Sequence, residues 1–255
     1  MKNTIPLIIA VILAAAAVFA VSKMIKPKDG EAEKQFVDVV AAAKAIAPDG
    51  EIQKGHQAAY IRALALDMAG DEKKPLVIAQ LKRELENADY HLNTGFLSTV
   101  YLLPTLCDNG MTQEAYRILE QTTAPGWLHP ITLGATTMLE NWNSLDVFRD
   151  SFNHYSFGAV CQFLFEYAAG IRPTFDAPGF EKIILKPTPG GSLTWAEGTY
   201  KTKFGTIRSG WKIENGRFDY HCSIPRQTTA KLTLPDGSTH PLSPGEYTFK
   251  INWEV

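Results

Sequence analysis

The period at which apolar residues recur changes near Ile171, and this change most constrains the fold. Before it, apolar side chains follow helical spacing, as in Phe36, Val39 and Val40. After it, short runs rich in β-branched and aromatic residues are separated by turn pairs such as Asn215-Gly216. The sequence therefore predicts an all-helical region followed by an all-β region.

The helical region divides at Gly and Pro turns into segments of one helix each. After a first helix that ends near Pro48, we expect helices over 56–69, 73–87, 94–107, 112–122, 133–142 and 156–169. The loops between them are short, which favours antiparallel helical hairpins. We therefore place a helical domain at 31–172.

The C-terminal region carries the signals of an antiparallel β-sandwich, which we place at 173–255. We expect strands over 182–186, 193–201, 205–213, 217–224, 230–234 and 245–253. The strands at 205–213 and 217–224 flank Asn215-Gly216, a turn pair typical of a hairpin. Several short strands at such spacing are typical of a sandwich.

Residues 1–30 read as an apolar leader and a linker. No charge interrupts residues 5–21, a length between that of a signal peptide and that of a membrane-spanning helix. We expect export to the periplasm or the outside of the cell, with the segment either cleaved or kept as a membrane anchor. The alternative is a spurious start in a rearranged gene.

Composition excludes several classes of protein. The chain has 255 residues, 45% of them apolar, and a net charge of −2, so it lacks the basic face that nucleic acid requires. Its three cysteines, Cys107, Cys161 and Cys222, are too scattered for a disulfide framework or a thiolate zinc site. Phosphate-binding loops and zinc-protease motifs are absent from the sequence, and we expect no cofactor and no metal.

Polar and aromatic residues cluster around the predicted helix ends. The residues of interest are Trp127, Glu140, Trp142, His154 and the histidines at 91 and 129. Aromatic faces and carboxylates together are the groups that hold and hydrolyse sugars, because hydrolysis needs a carboxyl group on each side of the scissile bond. Each residue also has an ordinary interpretation: a solvated charge for Glu140, core packing for the tryptophans, and a cap or core histidine.

In order along the chain, several segments resemble the C-terminal part of bacterial α-L-rhamnosidases of glycoside hydrolase family 78. They are GHQAAYIRALAL (55–66), HLNTGFLSTVYLLPTL (91–106), APGWLHPITLGATTMLENW (124–142), SFNHYSFGAV (151–160) and GIRPTFDAPGFEKIILKP (170–187). The resemblance covers about 31–255, including IRSGWKIENGRFDYHCSIP (207–225) and AKLTLPDG (230–237) in the β region. It implies a partial (α/α)6 barrel followed by a β-sandwich, and inverting hydrolysis that releases terminal L-rhamnose from a glycoside or polysaccharide.

The resemblance also implies residue roles. Glu140 matches the general base in the family pattern G-A-T-T-x-W-E-x-W, with Leu139 in place of the first Trp. The implied sugar-binding residues are Trp142, His154, Trp127 of the S-W-L-Y-P loop, His129 in place of that loop's Tyr, and His91 of the H-L-x-T-G-F segment.

The general acid has no counterpart that this resemblance can map, because in the family it belongs to the first half of the barrel. Asp89, Asp146 and Asp150 are conceivable substitutes. Three interpretations follow: a glycosidase completed by another chain that carries the missing barrel half, or by a local acid; an inactive remnant; or a non-catalytic carbohydrate-binding or surface module.

Overall fold

A computed structural model describes residues 46–52, 56–142 and 150–253. The chain divides into a helical unit, Met1–Cys161, and a β unit, Gln162–Val255. This division falls earlier than the boundary we expect from the change in periodicity. The reason is that the last helical residues belong with the sheets: the Trp211 indole N–H donates to the Ala168 carbonyl at 2.7 Å.

Most of the described helices lie within or close to the predicted segments. They are α1 (Gln57–Ala65), α2 (Gly70–Asn87), α3 (Phe96–Asp108), α4 (Thr112–Leu119), α5 (His129–Thr132), α6 (Tyr155–Gly158) and α7 (Val160–Phe163). α1 packs on α2 and α3, and α3 packs on α4 and α6. The buried side chains follow the helical period, as in Val77, Leu81 and Leu85 of α2.

The helix predicted over 133–142 is wrong. No residue of 133–142 is helical. The short α5, His129–Thr132, contains Pro130 in its first turn and ends just before this range, and Gly134, with a φ of +88°, interrupts helical geometry. The residues that follow use their backbone groups elsewhere. His154 N–H donates to the Met138 carbonyl at 2.8 Å, which pairs this stretch with a later segment.

The single helix predicted over 156–169 is divided. After α6 and α7 the chain continues as a π-helical turn, Leu164–Ala168. Gly170, at a φ of +79°, then lets the chain turn into the first strand. A continuous apolar period cannot distinguish an α-turn from a π-turn, which is why the sequence predicts one helix.

The β unit consists of eight strands in two sheets. They are β1 (Ile171–Pro173), β2 (Lys182–Leu185), β3 (Trp195–Thr202), β4 (Gly205–Glu214), β5 (Arg217–Ile224), β6 (Thr229–Thr233), β7 (Thr239–Leu242) and β8 (Gly245–Asn252). One sheet has the order β1-β2-β6-β7 and the other β3-β4-β5-β8. Pairing is antiparallel except between β2 and β6, which run parallel. β1 and β7 are strands that the sequence did not predict.

One apolar core fills the space between the two sheets. Leu185 and Leu232 from the first sheet lie in it with Ile207, Trp211 and Phe218 from the second. Strand alternation explains this arrangement, since β5 buries every second residue over much of its length. The expected architecture, helices followed by a β-sandwich, is therefore confirmed. The sandwich is not antiparallel throughout, as the sequence predicts, because β2 and β6 run parallel.

Some predictions fall outside the described residues. These are the first helix around Phe36 and the apolar leader at 5–21. Within the described ranges no helix is both long and apolar enough to cross a bilayer. Export and anchoring by the leader stay predictions.

Candidate active site

Two segments of the helical unit pair through their backbones and bring the predicted site residues together. Glu140 N–H donates to the Ser151 carbonyl at 2.9 Å, and His154 N–H donates to the Met138 carbonyl at 2.8 Å. The Thr137 hydroxyl also donates to the Phe152 carbonyl. Glu140 and His154 therefore lie on neighbouring, paired segments.

The carboxylate of Glu140 is exposed and held at one oxygen. Ser151 N–H donates to Oε2 at 2.8 Å, while Oε1 accepts no hydrogen bond from the described residues. A charge-assisted bond of this kind fixes the orientation of a carboxylate. One oxygen is thus positioned and the other is open to solvent, as a base that takes a proton from water requires.

Trp142 packs against the buried side chain of Trp127. Its ring is in edge contact with Trp127, with centroids 6.1 Å apart, and tilted against Phe157 at 4.5 Å. Trp127 is only 2% exposed, and its indole N–H donates to the Phe157 carbonyl at 3.0 Å. In this structure Trp127 therefore supports Trp142 and has no face open to a sugar, whereas Trp142 is half-buried.

His154 lies within an aromatic group. Its ring stacks on Tyr155 at 5.6 Å and also contacts Phe157 at 5.0 Å and Phe96 at 6.3 Å. Its Nδ1 is buried and has no hydrogen-bond partner among the described residues. Because a buried nitrogen without a partner is costly, this atom is a candidate for contact with a ligand or water. Tyr155 and Phe96 are 77% and 49% exposed.

His91 and His129 contact a different part of the helical unit, the loop at residues 122–123. His91 uses both ring nitrogens, Nδ1 with the Ala88 carbonyl at 3.1 Å and Nε2 with the Thr123 hydroxyl at 2.7 Å. His129 Nδ1 lies 3.2 Å from the Thr122 carbonyl. These bonds hold the 122–123 loop in place, which is a structural role for both histidines.

Phe157 contacts three of the predicted residues, Trp127, Trp142 and His154. The backbone pairing places a fourth, Glu140, on the segment beside that of His154. Our sequence reasoning gave no role to Ser151, Phe157, Phe96 or Tyr155. Phe157, Phe96 and Tyr155 are aromatic residues of the segments at 91–106 and 151–160, and their aromatic character is the signal that could have identified them. Ser151 contributes its backbone N–H, which no side-chain pattern reveals.

The candidate acids are less clearly arranged. Asp89 has its carboxylate 3.5 Å from the Arg117 guanidinium, and it is well exposed. Asp146 lies outside the described residues. Within the described ranges no three His, Cys, Asp or Glu side chains are grouped as a metal site would need.

Comparison with known proteins gives two matching family models. The model of the bacterial α-L-rhamnosidase six-hairpin glycosidase domain matches residues 11–168, so it begins within the apolar segment 5–21. The model of the bacterial α-L-rhamnosidase C-terminal domain matches residues 170–248. Together they cover most of the chain and follow its helical and β regions.

Curated relatives agree with these models. An α-L-rhamnosidase of Streptomyces avermitilis is 37% identical over 203 residues, which are 77% of this chain and 19% of that protein. One of Formosa agariphila is 34% identical over 193 residues, 73% of this chain and 21% of that protein. The chain thus spans about a fifth of the length of the curated relatives it matches.

Solved structures show the same fold. The S. avermitilis α-L-rhamnosidase complexed with L-rhamnose has a TM-score of 0.77 and 33% identity, covering 81% of this chain and 22% of that one. The Aspergillus terreus α-L-rhamnosidase also has a TM-score of 0.77, with 27% identity and coverage of 82% and 25%. The sequence match, the order of the two domains and the fold agree, and the chain belongs to the bacterial α-L-rhamnosidase family.

Proposed function

We propose that this chain forms the base-bearing and sugar-stacking side of an inverting α-L-rhamnosidase site. Glu140 is the general base, and Trp142, Tyr155 and His154 line the place of the rhamnose ring. The observation that carries the proposal is the hydrogen bonding of the Glu140 carboxylate. One carboxylate oxygen is held by Ser151 N–H at 2.8 Å, and the other is open.

The surroundings of Glu140 support this role. Trp142 follows Glu140 by two residues on one segment, and His154 on the other segment pairs with Met138, two residues before Glu140. Phe157 contacts both rings. Tyr155 and Phe96 expose aromatic surface next to His154. Exposed aromatic faces beside a carboxylate suit a sugar, whose C–H surface stacks while its hydroxyls need hydrogen-bond partners.

Inverting hydrolysis also needs a carboxylic acid, about 6.5–9.5 Å from the base, to protonate the leaving group. We propose that a complementary part of the barrel provides it, whether on the same polypeptide or on another chain. Exposed apolar side chains on the helical unit, Leu97 and Ile131 among them, offer a surface for that part.

This division of roles has a chemical consequence that can be tested. A leaving group as good as 2,4-dinitrophenolate departs without protonation, whereas an alkoxide does not. The full chain should therefore hydrolyse 2,4-dinitrophenyl α-L-rhamnoside with slow turnover and leave methyl α-L-rhamnoside intact. Glu140→Gln should abolish the turnover, because an amide cannot take a proton from the attacking water.

Ser151→Ala is the matched control, since it keeps the backbone N–H that holds Glu140, and it should retain turnover. Turnover that persists in Glu140→Gln at the wild-type rate would disprove the assignment of the base.

The second candidate is a non-catalytic carbohydrate-binding module. The exposed Tyr155, stacked on His154 at 5.6 Å, favours it because this surface can hold a sugar without any carboxyl chemistry. Saturable binding of L-rhamnose with no Glu140-dependent turnover of the dinitrophenyl substrate would select this function. Absence of both binding and turnover would overturn both candidates and leave an inactive remnant.

A further inference from the structure

The outer face of the sheet β3-β4-β5-β8 carries a cleft of about 510 Å³ that the proposed function does not use. Such a volume lies in the range of small-molecule sites. Its lining side chains belong to all four strands: Trp195, Glu197, Lys212, Asp219, His221 and Thr248. All of them lie in the β unit.

The register of the strands explains why these residues meet. Glu197 pairs with Gly210, Gly210 with His221, and His221 with Thr248, which gives one row across the sheet. Trp195, Lys212 and Asp219 form the next row. The rows are two residues apart, so their side chains point to the same face about 7 Å from one another.

Gly210 makes room in the middle of the cleft. A Cβ at this position would lie 2.5 Å from His221 Cε1 and 3.3 Å from Glu197 Cγ. The φ of Gly210 is not positive, so this position needs a glycine for space and not for backbone geometry. The imidazole therefore lies directly over the strand, with the glutamate beside it.

An indole borders this space. Trp195 is 57% exposed, which is unusual for the largest apolar side chain. Across the described residues, no hydrogen bond occupies the indole N–H of Trp195, the carboxylate of Glu197 or the ring nitrogens of His221. A flat apolar face thus lies next to free donors and acceptors.

The charges of the cleft are largely compensated. Asp219 accepts two bonds from the Arg217 guanidinium, at 2.7 and 2.8 Å, and Lys212 lies 3.0 Å from Glu214. Glu197 is the lining charge without such a partner among the described residues. A phosphate or a uronate would gain little attraction here, whereas uncharged hydroxyl groups find both donors and acceptors.

We propose that this cleft is a second binding site, for a neutral saccharide, in which the ring stacks on Trp195 and its hydroxyls bond to Glu197 and His221. None of these residues belongs to the region around Glu140, so the inference goes beyond the proposed function. The cleft would hold the glycan to which the enzyme is directed.

The test uses the full chain with Glu140→Gln, so that no hydrolysis occurs, and follows its indole N–H signals by NMR. Trp195→Phe assigns the Trp195 signal. Methyl α-L-rhamnopyranoside and methyl α-D-glucopyranoside are the neutral probes, and methyl β-D-glucuronide is the charged one. We expect a saturable shift at Trp195 with a neutral probe, and weaker binding of the glucuronide.

Two variants test the polar part of the cleft. Gly210→Ala pushes the His221 imidazole aside, and Glu197→Gln removes the free charge but keeps an acceptor. We expect Gly210→Ala to weaken binding about tenfold and Glu197→Gln to weaken it less. Phe175→Ala, which removes a fully exposed aromatic ring outside the cleft, is the control and should not change binding.

Several results would overturn the proposal. They are the lack of a saturable Trp195 shift with either neutral probe, preference for the glucuronide, and equal binding in Gly210→Ala with its melting temperature retained. The Trp142 signal reports on the first site in the same spectra. Failure of the cleft is therefore distinguishable from failure of the proposed function.

Discussion

Glu140 and Ser151 are joined twice: the Glu140 N–H donates to the Ser151 carbonyl, and the Ser151 N–H donates to Glu140 Oε2. The first bond fixes the backbone and the second fixes the carboxylate. The general-base role proposed for Glu140 should therefore be sensitive to the length of its side chain.

Glu140→Asp keeps the charge and shortens the reach by one methylene group. The carboxylate can then no longer accept from Ser151 N–H and also meet the water from the same backbone position. We expect turnover of 2,4-dinitrophenyl α-L-rhamnoside to fall about hundredfold, since a displacement of about 1 Å has such an effect. Steady-state kinetics measure it, and a wild-type rate in Glu140→Asp would contradict the alignment.

Substitution of Trp127 should mainly lower the stability of the fold, whereas substitution of Trp142 should mainly weaken sugar binding. Trp127→Ala removes a buried ring and its bond to Phe157, and should lower the free energy of unfolding by about 3–5 kcal/mol. Trp142→Ala should cost about 1–2 kcal/mol, because that ring is half-buried, but weaken L-rhamnose binding about tenfold. Urea unfolding and an NMR titration measure the two effects. Equal losses of stability would show that Trp142 is only a core residue.

A buried chain of hydrogen bonds joins Tyr220, Ser209 and Ala169. The Ser209 hydroxyl donates to the Ala169 carbonyl at 2.6 Å, so its oxygen must accept the bond from the Tyr220 hydroxyl at 2.8 Å. Ser209→Ala leaves the Tyr220 hydroxyl with only the weak Cys222 sulfur beside it.

We therefore expect Ser209→Ala to cost about 1–3 kcal/mol and Tyr220→Phe only about 0.5–1.5 kcal/mol. The double variant should cost less than the sum, because it no longer leaves the buried donor unpaired. Denaturant unfolding of the three variants checks this, and strict additivity would contradict the chain of bonds.

Substitution of Gly170 and of Gly134 distinguishes the cost of backbone strain from the cost of a steric clash. Both have positive φ, +79° and +88°. A Cβ on Gly170 would lie 2.3 Å from the Pro187 nitrogen, whereas a Cβ on Gly134 would meet nothing within 4 Å. We expect Gly134→Ala to cost about 1 kcal/mol, from strain alone.

Gly170→Ala should cost several times more, since the clash is with backbone that cannot move aside. Thermal melts of both variants measure the difference. Similar melting temperatures would show that the turn into β1 adapts to the added methyl group.

The Cys222 thiol is 3% exposed, and burial raises its pKa to about 11 from the usual 9.0. At pH 8 about one thiol in a thousand is then ionised, so alkylation of the native state should be very slow. The raised pKa means that stability from this group is complete below pH 9 and is lost as pH rises through 11.

A Cys107→Ser, Cys161→Ser background isolates this thiol. Iodoacetamide labelling at pH 8 should become fast only in the concentrations of urea that unfold the β unit. A native labelling rate equal to that of the unfolded chain would contradict the burial of Cys222.

Helix and strand identity followed from the sequence wherever the apolar period was long and bounded by turn residues. α2 and α4 begin or end within a few residues of their predicted limits, and β5 coincides with 217–224. The prediction was wrong at 133–142, where apolar residues also recur but Pro130 and Gly134 limit the helix to one short turn. The backbone there pairs with residues that are distant in sequence, which no local period reveals.

The candidate site, too, could be predicted from the sequence only in part. The roles of Glu140, Trp142 and His154 were predicted from the family patterns that their segments resemble. Only the tertiary structure showed that Trp127 is buried beneath Trp142 and that both ring nitrogens of His91 are already bonded. Burial and hydrogen bonding depend on what a side chain meets across the fold.

The sequence by itself determined the order of the two regions and the family, since periodicity and motifs are local properties of the chain. The tertiary structure decided which oxygen of Glu140 is free, and it placed Trp195, Glu197 and His221 in one cleft. Both depend on the pairing of segments, and that register is set by packing between residues far apart in the chain.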